Sequence, residues 1–442
     1  MPVKRQSPRE IIHPLAVILL FLFLTSLYSL ATPIWEAPDE PAHYLRIRKL
    51  AEPGFAPPLY PGPLLTIWSE RYLYSSYQDG QPPLYYLAAA AVLKGIHRLA
   101  DPPSPEAVFI PVRPDFDGGS LFAHPPQRPA VSIRLLRIFS ILLGALTVLL
   151  IYRIGRIVWP GEPAAALGAA GFAACLPQFN FISGAIGNDP AAALLGAGTL
   201  LYLVSRLGKN QAVGARYYLG LGFLLSLGLL TKFNLVFLLP TALLFILLKA
   251  REPGRRLGGW AALALTAAPL FLLGLTAVLL IPAEVSHPAR ILYLRLFRVT
   301  PELLSGVQIR YMISTVYRSF FALFGWMSIP VSGRLYLAWG LVIAVAAAGW
   351  IGKPAGERRR LAGLLAAAFL FLLLGVVKNN LLVPQSQGRF LFPALGAIAP
   401  LFAIGYCRLF PSRYRIPAVW ALLAVLASLN LAAFFQLLGR IA

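Results

Sequence analysis

Long apolar runs recur along the whole sequence, and they limit what the chain can fold into more than any other feature. A helix of about 20 apolar residues spans the hydrocarbon core of a bilayer. Only 13% of the residues are charged, against roughly a quarter in a soluble domain. The sequence therefore excludes an ordinary soluble enzyme and predicts an all-α integral membrane protein. The apolar segments lie near residues 12–31, 83–99, 133–152, 163–183, 190–206, 216–231, 233–249, 258–281, 335–351, 361–378, 391–408 and 416–438.

Basic clusters in the short loops between these segments predict how the chain crosses the membrane, because loops rich in lysine and arginine face the cytoplasm. Lys4, Arg5 and Arg9 precede the first segment. The N-terminus is therefore predicted to be cytoplasmic, and the first helix is too long for a signal peptide and should remain uncleaved. The later clusters are Arg153/Arg156, Arg206/Lys209/Arg216, Lys249/Arg251/Arg255/Arg256, Lys353/Arg358/Arg359/Arg360 and Arg408/Arg413/Arg415. All of them face the cytoplasm only if segment 83–99 does not cross.

The prediction is a single membrane domain, residues 1–442, with eleven transmembrane helices. Segment 83–99 becomes a juxtamembrane helix on the outer face. The two longest polar loops then lie on the outer face of the membrane, so any catalytic activity is expected on that face. The predicted parts are the first span at 12–31, a first outer loop with juxtamembrane helices at 32–132, spans two to seven at 133–281, a basic and aromatic outer loop at 282–334, and spans eight to eleven at 335–438. The alanine- and leucine-rich spans suggest a bacterial inner membrane.

The formal charge of +22 would suggest a nucleic-acid partner on a soluble protein. Here the topology clusters and contacts with anionic lipid phosphates explain it, because no nucleic-acid-binding motif is present. The expected partners are membrane lipids and not nucleic acid. Cys175 and Cys407 fall in or at the end of predicted spans and give neither a disulfide framework nor a metal-ligand spacing.

An acidic stretch, Glu36-Ala37-Pro38-Asp39-Glu40, follows the first span directly. Pro41 suits the first turn of a helix that Pro53-Gly54 ends. Asp39, His43 and Arg46 then lie on one helix face, because residues separated by three or four positions are neighbours on a helix. Two interpretations remain open. Asp39 caps the helix, or it is a carboxylate base at the membrane surface with His43 and Arg46 beside it.

The segment Pro38-Asp39-Glu40 before a short helix resembles the first outer loop of GT-C superfamily glycosyltransferases, which include aminoarabinose transferases and protein O-mannosyltransferases. The form Pro38-Asp39-Glu40-Pro41-Ala42-His43 is most similar to poorly characterised bacterial membrane proteins placed near them. Further motifs follow in the expected order, over roughly residues 10–405. They are Gln81-Pro82-Pro83-Leu84-Tyr85-Tyr86, Asn188-Asp189, Thr231-Lys232 and Gln387-Gly388-Arg389-Phe390-Leu391-Phe392-Pro393. One departure is Gln81, which stands where the aminoarabinose transferases carry a phosphate-binding lysine.

The resemblance implies an inverting transfer of a sugar from a polyprenyl-phosphate donor to a hydroxyl of a glycan, lipid or protein acceptor on the outer face. Such a reaction needs a base for the acceptor proton and cations for the departing phosphate. The implied catalytic residues are Asp39 as the base, Glu40 as a substitute for it, and Asp189. Oxygen ligands from these three would suit Mg²⁺ or Mn²⁺ if a metal is used. The implied substrate-binding residues are His43, Arg46, Gln81, Tyr85, Lys232, Arg318 and Arg389.

Several alternatives stay open beside this hypothesis. Asp189 could instead cap the helix that continues with Pro190. Lys232 and Arg389 could instead extend their charged groups to the lipid headgroups. Residues 290–318 fit a basic amphipathic helix on the membrane surface. The whole chain could instead be a lipid-glycan transporter or flippase, or a non-catalytic assembly protein with the same fold. A transporter needs ionisable residues within its spans, whereas here the acids lie at the ends of the spans.

Overall fold

The computed structural model describes residues 8–55, 69–74, 77–99, 110–113, 119–123, 131–207, 213–252, 258–280, 306–351, 358–381 and 385–441. Its first helices are α1 (Pro8–Ala31), α2 (Glu40–Ala51), α3 (Glu70–Leu73), α4 (Leu84–His97), α5 (Val131–Val158), α6 (Pro163–Ala174), α7 (Pro177–Ser183) and α8 (Asp189–Leu207). The later ones are α9 (Ala215–Leu229), α10 (Leu238–Ala250), α11 (Gly259–Leu280), α12 (Gly306–Phe321), α13 (Gly333–Ala348), α14 (Arg359–Asn380), α15 (Leu395–Cys407) and α16 (Arg415–Ile441). Shorter elements are the 3-10 helices Tyr77–Gly80, Phe233–Phe237, Gly388–Ala394 and Ser412–Tyr414, and the antiparallel strands β1 (Leu323–Phe324) and β2 (Ile329–Pro330).

Seven helical stretches in the described part of the chain are long and apolar enough to cross a membrane. An eighth is the pair α6 and α7, which is bent by 60°. The shorter apolar helices α9, α11 and α13 coincide with the remaining predicted spans. The prediction of an all-α membrane bundle is confirmed. The count of eleven spans and their direction stay predictions.

The centre of the bundle is built from small residues. Helix α6 has the sequence PAAALGAAGFAA, and it packs against α1, α5, α15 and α16. Alanine and glycine let helix backbones approach closely, which is how helices associate where no hydrophobic effect drives them together. The outer helices instead present large apolar side chains outward, such as Leu19 and Phe23 on α1 and Leu374 on α14. Composition thus separates central from lipid-facing helices.

The break between α6 and α7 frees backbone carbonyls inside the bundle, and buried asparagines bind them. Pro177 begins α7. The amide of Asn430 donates to the carbonyl of Cys175 at 3.0 Å and to Oδ1 of Asn180 at 2.7 Å. Asn180 in turn donates to Thr25 Oγ1 at 2.9 Å and to the carbonyl of Ala174. A broken helix is tolerated in a membrane where neighbouring side chains satisfy the freed groups.

Residues of the predicted first outer loop form a second apolar cluster beside the bundle. Helix α2 packs against α4, and Trp35, Tyr44, Tyr86 and Leu93 are buried there. Helix α4 has 14 residues, so it is about 21 Å long, shorter than a hydrocarbon core of about 30 Å. Helices α9 and α13, which coincide with predicted spans, are of similar length, so the absence of a crossing by segment 83–99 stays a prediction.

A buried carboxylate holds a distant part of the same loop. Glu36 accepts hydrogen bonds from the backbone N–H groups of Leu121 and Phe122, both at 3.0 Å, and from the hydroxyl of Ser120. In the second outer loop, only residues 306–334 are described. The predicted basic stretch around Arg290, Arg295 and Arg298 lies outside the described residues.

Candidate active site

Four charged side chains from distant parts of the sequence converge at one end of the bundle. The guanidinium of Arg389 lies 2.5 Å from Oδ2 of Asp39 and 3.6 Å from Oδ2 of Asp189. The ammonium of Lys232 lies 2.6 Å from Oδ1 of Asp189. Two carboxylates and two cations therefore form one electrically balanced cluster, in which Arg389 contacts both acids.

The backbone at Asp39 directs its side chain into this cluster. Asp39 precedes α2 in the left-handed conformation, with φ 67°, and makes no side-chain hydrogen bond to the helix end. Asp39 therefore occupies the N-cap position of α2, but its side chain does not cap the helix. Its Oδ1 accepts a hydrogen bond of 2.9 Å from the hydroxyl of Tyr77. Non-glycine residues in this region are strained, and such strain is typical of functional sites.

Lys232 and Asp189 come from neighbouring helix ends. Asp189 begins α8, and Lys232 has an extended backbone between α9 and the 3-10 helix Phe233–Phe237. The Lys232 side chain is 12% exposed and its ammonium also lies 5.7 Å from the ring centre of Phe390. The interpretation that Lys232 reaches out to the headgroups is thus not supported, because Asp189 binds its charge inside the protein.

Arg389 is placed by the glycine before it. A Cβ atom at Gly388 would collide with the backbone of α12 at Phe320 and Val316, so only glycine allows this close approach. The Nε atom of Arg389 also donates to Oε1 of Gln387 at 2.5 Å. The Gly388-Arg389 pair therefore works as one unit, with the glycine fixing the depth at which the arginine lies.

Glu40 stands next to Asp39 in sequence but in a different environment. It forms a bidentate pair with Arg137 of α5, at 2.8 and 2.7 Å, and accepts hydrogen bonds from the N–H groups of Trp35 and Ile186. Glu40 does not line the cavity described below. This geometry suits a positioning residue better than the substitute base expected from the sequence.

Sequence reasoning missed Arg137. Beyond Glu40, its guanidinium donates to the carbonyls of Ser29, Thr32 and Pro33 at the end of α1. A signal was present, because an arginine near the end of an apolar segment must find partners and is commonly functional. Glu40 follows Asp39 directly and also accepts a hydrogen bond from the N–H of Ile186, three positions before Asp189. The Arg137–Glu40 pair therefore connects the backbone segments that carry the two aspartates.

The other sequence-predicted residues divide into two groups. His43 and Gln81 line the cavity. Tyr85 accepts a hydrogen bond from the N–H of Gly187 at 3.1 Å, the Arg46 guanidinium lies 3.9 Å from the ring centre of Tyr86, and Arg318 lies 5.1 Å from the ring centre of Tyr336. None of these last three lines the cavity in the described part of the chain.

Burial and charge set the protonation of the acidic end of the cluster. Burial by itself would raise the pKa of Asp39, but the Arg389 cation and the hydrogen bonds from Arg389 and Tyr77 outweigh it and hold the pKa below its ordinary value. Burial lowers the pKa of His43 to about 3. His43 is therefore neutral near pH 7, and its Nδ1 shares a 2.8 Å hydrogen bond with the hydroxyl of Tyr86.

A cavity of about 340 Å³ opens onto the charged cluster, and Asp39, Lys232 and Arg389 line it. An apolar groove of about 560 Å³ lies beside it, between α12, α13, α14 and α15. Val376 of α14 borders both spaces. A polar pocket and an apolar groove thus adjoin at the end of the bundle.

The carboxylates of the cluster are paired with cations in the part of the chain that the structure describes. No group of three or more histidine, cysteine, aspartate or glutamate side chains is close enough there to hold an ion. Asp39 and Asp189 are neutralised by Arg389 and Lys232, and Glu40 by Arg137. The Mg²⁺ or Mn²⁺ expected as one option therefore stays a prediction.

The chain is similar to known membrane glycosyltransferases. A model of the dolichyl-phosphate-mannose-protein mannosyltransferase family matches residues 130–279. The fold is similar to that of ArnT from Cupriavidus metallidurans bound to undecaprenyl phosphate, with a TM-score of 0.54 and 13% identity, over 98% of this chain and 76% of ArnT. It is also similar to the archaeal oligosaccharyltransferase AglB from Archaeoglobus fulgidus in complex with an inhibitory peptide and a dolichol-phosphate. There the TM-score is 0.50 and the identity 14%, over 98% of this chain and 56% of AglB.

No curated protein matches the chain in sequence. The family model matches less than half of the chain, and together with the structural similarity it shows that the chain has a fold like that of GT-C membrane glycosyltransferases. The resemblance read from the sequence motifs is confirmed at this level.

Proposed function

We propose that the protein transfers a sugar from a polyprenyl-phosphate donor to an acceptor hydroxyl, with inversion, on the outer face of a bacterial inner membrane. The observation that carries this proposal is the convergence of Asp39, Lys232 and Arg389 on one cavity. A reaction of this kind needs a base and phosphate-binding cations within reach of the same sugar. This cavity offers both.

In the proposed reaction, the acceptor oxygen attacks the anomeric carbon while its proton passes to the Asp39 carboxylate. The bond between the anomeric carbon and the phosphate oxygen breaks, and polyprenyl phosphate leaves. Arg389 and Lys232 stabilise the negative charge that develops on the leaving phosphate. Arginine suits this role because its fork of N–H donors matches phosphate oxygens.

Arg389 has a second part in the proposed mechanism. Without donor, it is paired with Asp39 at 2.5 Å, which makes the carboxylate a weak base. A bound phosphate competes for the same guanidinium. Donor binding therefore frees negative charge on Asp39 at the moment when the acceptor proton must be taken up.

The apolar groove supports a lipid-linked donor. Its walls include Val316, Phe321, Ile343, Phe369 and Phe402, and it adjoins the polar cavity at Val376. A polyprenyl phosphate has the same division, a charged head joined to a long apolar chain. We propose that the chain lies in the groove while the phosphate meets Lys232 and Arg389. ArnT and AglB were solved with undecaprenyl phosphate and dolichol-phosphate respectively.

We also propose that transfer needs no divalent cation, because the two cations of the cluster already supply the positive charge. The alternative of a flippase or transporter is less well supported. The ionisable side chains of the cluster lie at helix ends around one pocket, whereas a transport pathway places them along the interior of the spans. A non-catalytic assembly protein would have no need for the strained backbone at Asp39.

Binding of undecaprenyl phosphate to the purified full chain in lipid nanodiscs tests the donor site. We expect Lys232→Ala and Arg389→Ala to weaken binding by about 10- to 100-fold, the equivalent of losing one charge-assisted hydrogen bond. Lys94→Ala, on the exposed side of α4, is the matched control and should leave affinity unchanged. Equal affinities in all four proteins would contradict the proposed phosphate site.

A further inference from the structure

We infer that the donor carries a hydroxyl-rich sugar and not an amino sugar. This inference rests on the proposed function, because it assumes that the donor sugar occupies the cavity at Asp39. The cavity volume of about 340 Å³ is at the low end of the roughly 300–1,000 Å³ typical of ligand pockets. It therefore fits one sugar and an acceptor group better than a long glycan.

Carboxamide side chains dominate the polar wall of the cavity. They come from the first outer loop, from the ends of α7–α10 and from the segment after α14, and include Gln78, Gln81, Asn188, Asn234, Gln385 and Gln387. A carboxamide presents a donor and an acceptor side by side. A sugar hydroxyl both donates and accepts, so this wall is complementary to a ring with several hydroxyl groups.

Asn188 gives the most specific sign of an absent ligand. It lines the cavity and is 1% exposed, yet neither its amide nitrogen nor its amide oxygen has a hydrogen-bond partner among the described residues. Asn234, also on the cavity wall, leaves its amide oxygen without a partner in the same part of the chain. Buried polar groups are nearly always paired. Two unsatisfied carboxamides in one cavity therefore point to a ligand that supplies both donors and acceptors.

The charges of the cavity argue against an amino sugar. An ammonium group on the sugar would need a carboxylate beside it. Asp39 is the carboxylate that lines the cavity in the described part of the chain. Asp39 has to accept the acceptor proton. The cations Lys232, Lys378 and Arg389 line the same cavity, so an ammonium group there would meet like charges. Gln81 adds to this picture, because it presents a neutral side chain at the same wall.

An aromatic pair completes the wall. Tyr72 and Tyr77 stack with ring centres 4.8 Å apart and planes within 8°, and both line the cavity. The hydroxyl of Tyr77 is fixed by its bond to Asp39. A flat, rigid surface beside a hydrogen-bonding wall matches a sugar ring, which has an apolar face and a rim of hydroxyl groups.

Donors with one lipid and different sugars test the inference. The probes are undecaprenyl phosphate alone and its conjugates with glucose, mannose and a 4-amino-4-deoxy sugar, measured with the full chain in nanodiscs. We expect a glucose or mannose conjugate to bind at least tenfold more tightly than the amino-sugar conjugate. Tighter or equal binding of the amino-sugar conjugate would overturn the inference alone. Absence of binding by undecaprenyl phosphate itself would overturn the proposed function and this inference with it.

Substitutions of the cavity carboxamides test which side chains select the sugar. Asn188→Leu should weaken binding of the neutral-sugar conjugate about tenfold and leave binding of undecaprenyl phosphate alone unchanged, which also shows that the variant is folded. Gln81→Leu, at a less buried position, should act in the same direction. Gln436→Leu, which lies outside the cavity on α16, is the control. Equal binding of the neutral-sugar conjugate by Asn188→Leu, Gln81→Leu and the control would contradict the inference.

Discussion

Asp39 and Arg389 lie 350 positions apart in the sequence, yet their charged groups meet at 2.5 Å. The contact joins the first outer loop to the segment that begins the last-but-one helix. It also ties the proposed base to the proposed phosphate-binding cation. Residues from near the two ends of the sequence therefore meet in one site.

The first expectation concerns the base. Asp39→Asn keeps the size and the hydrogen bond to Tyr77 but removes the proton acceptor. We expect the transfer rate to fall by about 10²- to 10⁴-fold, while undecaprenyl phosphate still binds. The rate of sugar release from a radiolabelled donor measures this. Asp79→Asn, in the same loop and in a partly exposed pair with Lys49, is the matched control. Full activity in Asp39→Asn would remove Asp39 from the role of base.

The second expectation concerns pH. Burial raises the pKa of Asp39, and the Arg389 cation reverses that effect, so the pKa lies below the ordinary 3.8. The wild-type rate should therefore show no acid limb from Asp39 above that pH. In Arg389→Gln the effect of burial remains without the cation, so the pKa should rise and the acid limb should move to higher pH.

The same pairing affects stability. The pKa of Asp39 is lower in the folded protein than its ordinary value, so the ionised carboxylate stabilises the folded state at pH values above that ordinary pKa. This stabilisation is lost as the pH falls through the lower pKa of the folded protein. The rate at limiting donor reports the ionisation of the donor-free protein, and its pH dependence in wild type, Arg389→Gln and the exposed control Lys94→Gln distinguishes these cases. Identical acid limbs in wild type and Arg389→Gln would show that Asp39 does not control the rate.

The third expectation concerns the Arg137–Glu40 pair. Arg137→Met leaves the fully buried Glu40 carboxylate without its cation, which should cost about 3–5 kcal/mol of stability. Because Glu40 also holds the backbone before Asp189, the maximal rate should fall more than the donor affinity. Arg134→Met, one turn earlier on α5 and exposed, is the control. A variant that loses stability but keeps its maximal rate would show that the pair stabilises the fold without positioning the aspartates.

The fourth expectation concerns Gly388. A methyl group there would meet the backbone of α12, so Gly388→Ala should displace Arg389 and weaken undecaprenyl phosphate binding nearly as much as Arg389→Ala. The control is Gly363→Ala in α14, where an added Cβ meets no atom within 4 Å. Alanine in a helix is more stable than glycine by roughly 0.5–1 kcal/mol, so this control should be neutral or stabilising. Normal donor affinity in Gly388→Ala would show that Gly388 does not determine the position of Arg389.

The fifth expectation concerns topology. If α4 lies on the outer face, a cysteine at Lys94 should react with an impermeant maleimide added to intact cells, and one at Arg413 should react only after lysis. Both positions are exposed. Cys175 and Cys407 are buried and should give little background. Labelling of the Lys94 cysteine only after lysis would show that segment 83–99 crosses, or that the bundle has the opposite orientation.

The sequence by itself determined the fold class and the main charged residues of the site. Run length decides whether a helix can cross a bilayer, and this is a local property that composition reveals directly. The resemblance to GT-C motifs indicated Asp39, Asp189, Lys232 and Arg389. Lys232 also stands out by itself, because a charge between two apolar segments is costly unless it is paired.

Only the tertiary structure decided which neighbours these residues have. Asp39 and Glu40 are adjacent acids in the sequence, but the left-handed backbone at Asp39 turns one to the cavity and leaves the other buried against Arg137. Arg46, Tyr85 and Arg318 belong to motifs or basic faces, yet packing places them against other partners. Likewise, the unpaired carboxamide of Asn188 is visible only once the surrounding helices are in place. The physical reason is that membrane insertion depends on each segment separately, whereas hydrogen bonds and ion pairs depend on contacts between segments that are hundreds of residues apart.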